Sequence, residues 1–477
     1  MKRLIYNIYN ISRRWMAALA MLAALSAGGA TVDDARILAE DGDIDGAITM
    51  LRGIVADDPK DTDAALMLGE LLWGSGQDSD AEEVLETLRG RGNREATLQL
   101  ARIALSRYDI DEARSLLGAY RKSLVKGKKQ IAEDQSGKLE DQIERAEGML
   151  DRVQNIEVID SVDVDADEFF RQYPVSSAAG RFSGPEGLPE GFPSDGQTMV
   201  HVTESGSRMV WSAPDQDGNS RLYWSSALLG DEWETPEALG DDLAEGGDAV
   251  FPYLMPDGVT LYYSNDGENS LGGYDIYLTR RGEDGFLQPA NVGMPFNSPY
   301  NDYLLVIDEY TGAGWFATDR NRHPGKVTIY TFIPQDLRVN VDVDSPDLTS
   351  LARLDNIVLT RKEGKDYSAV AKAIEAGRSQ AARKTAGPDF LLAMPGNKVY
   401  TTFGDFHNRR AAEAMKGYLA KKKKLDGVME RLEQLREAYG RGDRSQAGLI
   451  LELEGQLDKA RAELRTLRDN VIKLEQN

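Results

Sequence analysis

Between Phe251 and Arg281 the chain reads FPYLMPDGVTLYYSNDGENSLGGYDIYLTRR, and this stretch constrains the fold more than any other. Alternation through Leu261, Tyr262 and Tyr263, and again through Tyr274, Asp275, Ile276 and Tyr277, has the period of a strand, while Pro256, Asp257 and Gly258 supply turn chemistry between them. The pattern recurs. A shift of roughly 53 residues, a spacing typical of propeller blades, brings Arg208 to Ser212 onto Thr260 to Ser264, with Trp211 on Tyr263. It also puts Leu222 and Tyr223 near Ile276 and Tyr277, and Trp233 with Pro236 onto Phe286 with Pro289. One further step carries Tyr262, Tyr263 and Asp266 onto Trp315, Phe316 and Asp319, and Ile276 and Tyr277 onto Ile329 and Tyr330.

Three copies of a β-meander are therefore legible. A single four-stranded meander cannot bury both of its faces, so the copies must stack, and radial stacking into a β-propeller leaves few sheet edges exposed. Blades occupy about residues 198–341, but propellers close with about 4 to 8 blades, so closing strands are expected from the flanks. The upstream candidate is IEVIDSVDV, Ile156 to Val164; the downstream candidates are NIVLT at Asn356 to Thr360 and KVYTTF at Lys398 to Phe403. Pro174 to Ser194, rich in Gly, Pro and Ser, reads as a tether, and Ser368 to Lys384 as an alanine-rich helix.

The turn, strand end and glycine pair together resemble the WD40-like Pro-Asp propeller repeat, PD40, of TolB-like envelope proteins. The matching positions are Pro256, Asp257 and Gly258 in the turn and Ser264, Asp266, Gly272, Gly273, Asp275 and Tyr277 in the loop and third strand. The second copy carries nearly the whole pattern; the first lacks the paired glycines and the third lacks the PDG turn. The resemblance implies a fold and is nearly silent about a ligand.

Upstream, from Val32 to about Tyr120, small residues recur at a spacing near 34, the tetratricopeptide (TPR) period. Ala35, Gly69 and Ala101 hold the small position of each first helix, Ala47, Ala81 and Ala113 that of each second, and Leu51, Leu85 and Leu117 follow four residues later on the same face. Turns GDIDGA, GQDSDA and YDIDEA join each pair, and Pro59 ends the first unit where a resemblance to TPR proteins places it. About three such units make a stable solenoid with a concave surface able to hold a peptide, or one that braces the propeller. Leu139, Ile143, Ala146 and Leu150 mark a capping helix, with Lys126, Lys128 and Lys129 on a solvated face.

Residues 1–30 have the form of an export signal: Lys2, Arg3, Arg13 and Arg14, an apolar run from Trp15 to Ala27, then small residues through Ala30. That run falls short of the roughly 20 apolar residues that span a bilayer. Acidic residues number 79 against 56 basic, and a net charge of -23 argues against a nucleic-acid footprint. There is no cysteine, which removes disulfides, thiolate metal sites and the lipid-bearing cysteine of a bacterial lipoprotein. From about Arg409 to the end, Leu425, Val428, Leu432, Leu435 and Tyr439, then Leu453, Leu457, Ala460, Leu464, Leu467, Val471 and Leu474, alternate spacings of three and four as coiled-coil seams do. The break at Gly440 to Ser445 predicts an antiparallel hairpin, with a self-association arm as the alternative, and Lys421 to Lys424 is a solvated charge run.

Little in the chain suggests chemistry. His201, His323 and His407 have no HExxH spacing, and GxSxG and GxxxxGK[ST] are absent, so no catalytic, cofactor or metal residue is assigned. The acidic run Asp215 to Asn219 lacks the EF-hand positions and reads as a turn. Blade aromatics are expected in the core, the few outside being candidates for stacking on a sugar or peptide. The resulting fold class is multidomain α plus β: signal (1–30), TPR-like repeats with a capping helix (31–154), propeller (155–405) and helical tail (406–477). The expectation is a non-enzymatic, exported scaffold or adaptor of the periplasm or outer membrane. Its partners would be envelope proteins or peptide segments, with no lipid anchor. This order resembles Bacteroidetes envelope proteins that join TPR and PD40 modules, here without an OmpA-like C-terminal domain. The alternatives are a glycan- or peptide-binding receptor and, third, a propeller-gated hydrolase.

Overall fold

The computed structural model describes residues 30–124, 129–228, 232–282, 285–335, 337–384, 392–394, 398–400, 403–421, 424, 435 and 447–476. Residues 1–29, where an export signal is expected, lie outside them. So do most of the first heptad seam and the break at Gly440 to Ser445. The chain divides into two compact units, residues 1–380 and 381–477.

The first unit opens with paired helices: α1 (Val32–Glu40) with α2 (Ile44–Asp57), α3 (Thr62–Gly74) with α4 (Asp78–Gly90), and α5 (Arg94–Ser106) with α6 (Ile110–Ser123), followed by α7 (Lys129–Leu150). Side chains cap the starts, Asp43, Asn93 and Asp109 accepting from the amides of Gly46, Ala96 and Glu112. Each cap satisfies a donor that the first helical turn leaves unpaired. Ala35, Ala47, Ala81, Ala101 and Ala113 are buried to the last, as the spacing predicts. A Cβ on Gly69 would sit 2.7 Å from Leu85, so the two helices touch where only a hydrogen fits. In the turns, Gly42 (φ 84°) and Gly76 (φ 78°) take the left-handed conformation that favours glycine, and Tyr108 (φ 59°) takes it in the third.

Three antiparallel sheets follow. The first runs β2 (Arg181–Ser183), β3 (Val200–Val202), β4 (Arg208–Pro214), β5 (Ser220–Ser226) and β6 (Glu237–Ala238). The second comprises β7 (Ala249–Leu254), β8 (Thr260–Asn265), β9 (Asp275–Arg280) and β10 (Ala290–Asn291). The third comprises β11 (Asp302–Asp308), β12 (Ala313–Thr318), β13 (Lys326–Ile333) and, on its outer edge, β1 (Glu157–Asp165) paired antiparallel to β13. Equivalent positions repeat the same contact. Trp211 stacks on Tyr223, Tyr263 on Tyr277 and Phe316 on Tyr330, with centroids 5.9, 5.9 and 5.4 Å apart and planes within 26°. The turn preceding each of these strands carries a left-handed glycine, Gly206 (φ 66°), Gly258 (φ 68°) or Gly312 (φ 68°), although only the middle copy spells PDG.

Alternation along the strands explains the layering. Tyr263 and Tyr277 share a core with Val210, Leu222 and Trp224 of the first sheet; Phe316, Tyr330 and Phe332 share one with Ile276 and Phe296 of the second. Among the described residues the ring expected of these copies is not seen; in this unit the sheets number three, and each outward face is covered by the chain itself. On the first sheet Leu188 and Phe192 lie over Val200, Trp211 and Ala213. On the third, Phe169, Phe170 and Tyr173, with Val370 and Ile374 of helix α9 (Ser368–Lys384), cover Leu304, Val306, Trp315 and Ile329.

Four expectations change accordingly. Ile156 to Val164 does become a strand, but it completes the third sheet and closes no ring. Pro174 to Ser194, where a tether was expected, supplies edge strand β2 of the first sheet and then a strap whose Leu188 and Phe192 cover that sheet. Asn356 to Thr360 forms a 3-10 turn at Ile357–Thr360: Asn356 caps the amide of Val358, and Thr360 takes the amide of Val158, which turns the backbone away from a ladder. Lys398–Tyr400 pairs only with Leu392–Met394, within the second unit.

In the second unit a helix over residues 409–421 lies antiparallel to the helix Ala447–Gln476. Lys421 pairs with Glu463 at 2.6 Å, while Asn408 donates to Leu474 O at 2.7 Å, so one number rises as the other falls. Met415 and Val471 are buried between them with Tyr400.

Candidate interaction site

The helical array and the sheets meet along the turns that join paired helices. Arg322, in the turn between β12 and β13, donates both terminal nitrogens to Asp78 at the start of α4, at 2.6 and 2.9 Å, and one of them also to Trp73 O at 2.8 Å. A fork on a carboxylate fixes orientation as well as distance. The same guanidinium lies over the rings of Trp73 and Tyr300, 5.8 and 5.5 Å from their centroids. From α7, Arg145 donates to Glu268 O at 2.7 Å and Ser270 O at 2.8 Å. Leu271 and Met294 of the sheet loops, with Val341 and with Ala352 of α8 (Leu348–Arg353), are buried in one core with α5 and α6.

Behind this contact lies a buried polar layer. Arg320 donates to Asp302 and Phe296 O at 2.8 Å each. Burial pushes the Asp302 carboxyl up, with Arg320 opposing it. Burial, with the charge of Asp302 beside it, moves Asp275 up to about 7 against the pull of the Leu271 amide. Tyr108 sits here too, 6% exposed, its phenol pushed up by burial.

The nine positions singled out from the sequence hold turns, loops and sheet contacts, and several of them face this junction. Asp257 accepts from the amides of Val259 and Thr260 at 2.9 and 2.8 Å, Pro256 opens that turn and Gly258 completes it. Ser264 Oγ accepts from Leu304 N at 3.3 Å, tying the second sheet to the third. Asp266 takes the amide of Asp248 at 2.7 Å. A Cβ on Gly272 would overlap the Tyr300 carbonyl and one on Gly273 the Asn301 side chain, so the glycine pair lets the loop that carries Leu271 press against residues 299–301. Asp275 holds that loop by accepting from Leu271 N at 2.9 Å and from Asn291 at 2.6 Å; Tyr277 stacks on Tyr263.

The histidines are dispersed. His201 is fully buried on β3, donates from Nε2 to Ala179 O at 2.9 Å and accepts from Leu254 N at Nδ1; burial lowers its pKa to about 4. His323 pairs with exposed Asp163, and His407 lies against Glu475. Asp215 accepts from the amides of Asp217 and Asn219 at 2.9 Å, the turn the sequence suggests. Among the described residues no group of three or more His, Asp or Glu is placed to hold a metal. Trp211, Tyr253, Tyr263, Tyr277, Trp315 and Phe316 are all core, and Trp224 lies under the guanidinium groups of Arg208 and Arg281, 4.0 and 4.3 Å away.

The first repeat differs from the others. One side of α2, lined by Ala30, Asp45, Gly46, Thr49, Met50, Gly53, Ile54, Asp57 and Asp58, bounds an open groove of about 700 Å³. Sequence reading found the repeat but not the junction or the groove. Arg322 and Tyr108 carry no motif, and the only hint was a tyrosine standing where two sister turns have glycine.

The tetratricopeptide repeat family model matches residues 38–92, the first two helical units. No curated protein and no solved structure matches the chain. Tetratricopeptide repeats mediate protein–protein interactions, so the helical region supports that role for this chain.

Proposed function

We propose that the chain is a non-enzymatic interaction protein, exported and working at the cell envelope, in which TPR units and PD40-like sheets form one platform for protein partners. One observation carries this reading. The second and third helical units are fastened to the sheets through Asp78–Arg322 and Tyr108, and the capping helix α7 through Arg145, while the first unit keeps an open, largely apolar surface. An array braced at one end and free at the other suits docking better than peptide enclosure. The PD40 kinship is supported by the recurring aromatic pairs and the left-handed turn glycines. Export is supported by the basic start and apolar run of residues 1–30, and by a cysteine-free composition that suits an oxidising compartment. The absence of hydrolase and nucleotide signatures supports a role without catalysis.

The test is crosslinking in intact source cells, followed by fractionation and identification of whatever is attached. A defined envelope protein should be recovered with it. Recovery of the protein alone from the cytoplasm would overturn the reading, and so would turnover of peptide or ester substrates by the purified chain.

A further inference from the structure

We propose that the groove on α2 takes an amphipathic helix of a partner protein, one whose apolar ridge is flanked by lysine or arginine. The inference rests on the interaction reading above and names the partner's chemistry.

The two ends of the helical array are finished differently. At the far end α7 buries Leu139, Ile143 and Ala146 against α6, as a capping helix does. Solenoids need such caps, because a terminal unit otherwise presents its stacking face to water. At the near end α2 shows Gly46, Thr49, Met50, Gly53, Ile54 and Asp57, the spacing i, i+3, i+4, i+7, i+8, i+11 that lines one stripe of a helix. Its Met50 and Ile54 pack half-buried on the core that holds Ile48 and Leu51, and beside them Thr49 and Gly53 are exposed. Among the described residues nothing lies over Gly53, whose missing side chain opens onto free space. A terminal unit whose half-buried Met50 and Ile54 lie beside the open Gly53 is shaped to receive a ridge, whereas Gly46 is closed by the Asp43 cap.

Length and charge choose the occupant. The groove runs from Asp45 to Asp58 along the 14 residues of α2, which is about 21 Å at the rise of an α-helix, so its match is a helix of similar length. Its rim carries Asp45, Asp57 and Asp58, and among the described residues no basic one lines it. A second copy of this chain would bring a like-charged rim from a molecule of net charge -23. An apolar helix with basic flanks meets both the floor and the rim, and the flanking charges steer its approach.

The probe is a fluorescent synthetic helix about as long as α2, with leucines three and four apart and lysines at both ends, titrated into the full-length protein at low and high salt. Saturable binding that weakens with salt is expected. A Cβ at Gly53 meets nothing within 4 Å, so Gly53→Phe can project its ring into the groove and should lower affinity at least tenfold, with an unchanged circular dichroism spectrum. Asp57→Lys combined with Asp58→Lys should weaken the lysine-flanked peptide and favour a glutamate-flanked one. Equal affinity for both peptides, or binding indifferent to Gly53→Phe, overturns the proposal. Self-association that Gly53→Phe abolishes would assign the groove to a second copy and also overturn it. If crosslinking in cells recovers a partner while the peptide does not bind, the groove assignment fails and the interaction reading stands; if neither is seen, both fall.

Discussion

Phe192 stacks on Trp211, with ring centroids 5.5 Å apart and planes 24° from parallel, and the Trp211 indole N–H donates to the carbonyl of the next residue in the strap, Pro193, at 2.8 Å. In the second and third sheets the position equivalent to Trp211 faces the preceding sheet. The first sheet has no predecessor, so a loop takes that place. This is how three sheets manage without a ring: the face that a neighbouring blade would bury is buried by residues 188–193.

Phe192→Ala should therefore destabilise the protein by about 2 kcal/mol, the order expected when a half-buried aromatic side chain is lost. Denaturant unfolding measures this, and the emission of Trp211 should shift to the red as water reaches the ring. Phe192→Leu should retain most of the stability. A neutral Phe192→Ala would show that the strap is not holding the sheet closed.

The third helical turn trades backbone ease for an anchor. Tyr108 pays about 1 kcal/mol for a left-handed conformation that Gly42 and Gly76 adopt freely. It recovers more by filling the space between α5 and the Arg320 layer. Tyr108→Gly should relieve the backbone yet cost about 2 to 3 kcal/mol net from the cavity it leaves. Hydrogen exchange should then rise in α5, α6 and the loop at residues 268–273 together. Gly76→Ala, with φ at 78°, should cost about 1 kcal/mol with no such spread.

His201 should make the sheets sensitive to acid. Its folded pKa of about 4 lies below the ordinary 6.5, because burial disfavours the charged ring. The unfolded chain then binds more protons between those values, so stability rises with pH from about 4 to about 6.5 and is flat above. The full span is of order 3 kcal/mol. Geometry agrees: a proton on Nδ1 would confront the amide of Leu254, which that nitrogen now accepts. Asp275 has the opposite sign, its pKa of about 7 making stability fall as pH rises from about 4 to 7. Asp319, pushed up to about 6 by burial, adds to that fall, so His201→Gln should give a steeper decline in stability from pH 4 to 7 than the parent shows.

What was legible in the sequence follows from which forces are local. The strands and helices were readable because strand alternation and the roughly 34-residue helical spacing are imposed by each element's own buried face. Thus Gly69 was recognisable as a close-packing position, and Ile156 to Val164 as a strand, without knowledge of their partners. Ring closure was not readable, because it depends on what covers two outer faces. Leu188 and Phe192 are isolated apolar residues in a Gly-Pro run with no period to announce them. NIVLT looks like a strand by composition, but the Asn356 cap and the Thr360 hydroxyl bend it. Asp78 and Arg322 lie 244 residues apart, and no pattern in one predicts the other.

In the second unit Glu475 does the work of a cap supplied from a distance. Its carboxylate, nearly fully buried, accepts the amides of His407 at 2.7 Å and Asn408 at 3.1 Å, where the helix over residues 409–421 begins. A carboxylate at that position answers both the unpaired amides and the positive end of the helix dipole. Burial raises the Glu475 pKa, but these amides outweigh it and hold the group below the usual carboxylate range. The capping contribution is therefore present at neutral pH and is lost as pH falls through the folded value. Glu475→Gln keeps one acceptor and removes the charge, so it should cost about 1 kcal/mol, whereas Glu475→Ala should cost up to about 2. Hydrogen exchange over residues 407–412 should accelerate in both variants and more in the alanine one. Unchanged exchange there would mean that the amides are satisfied by water alone.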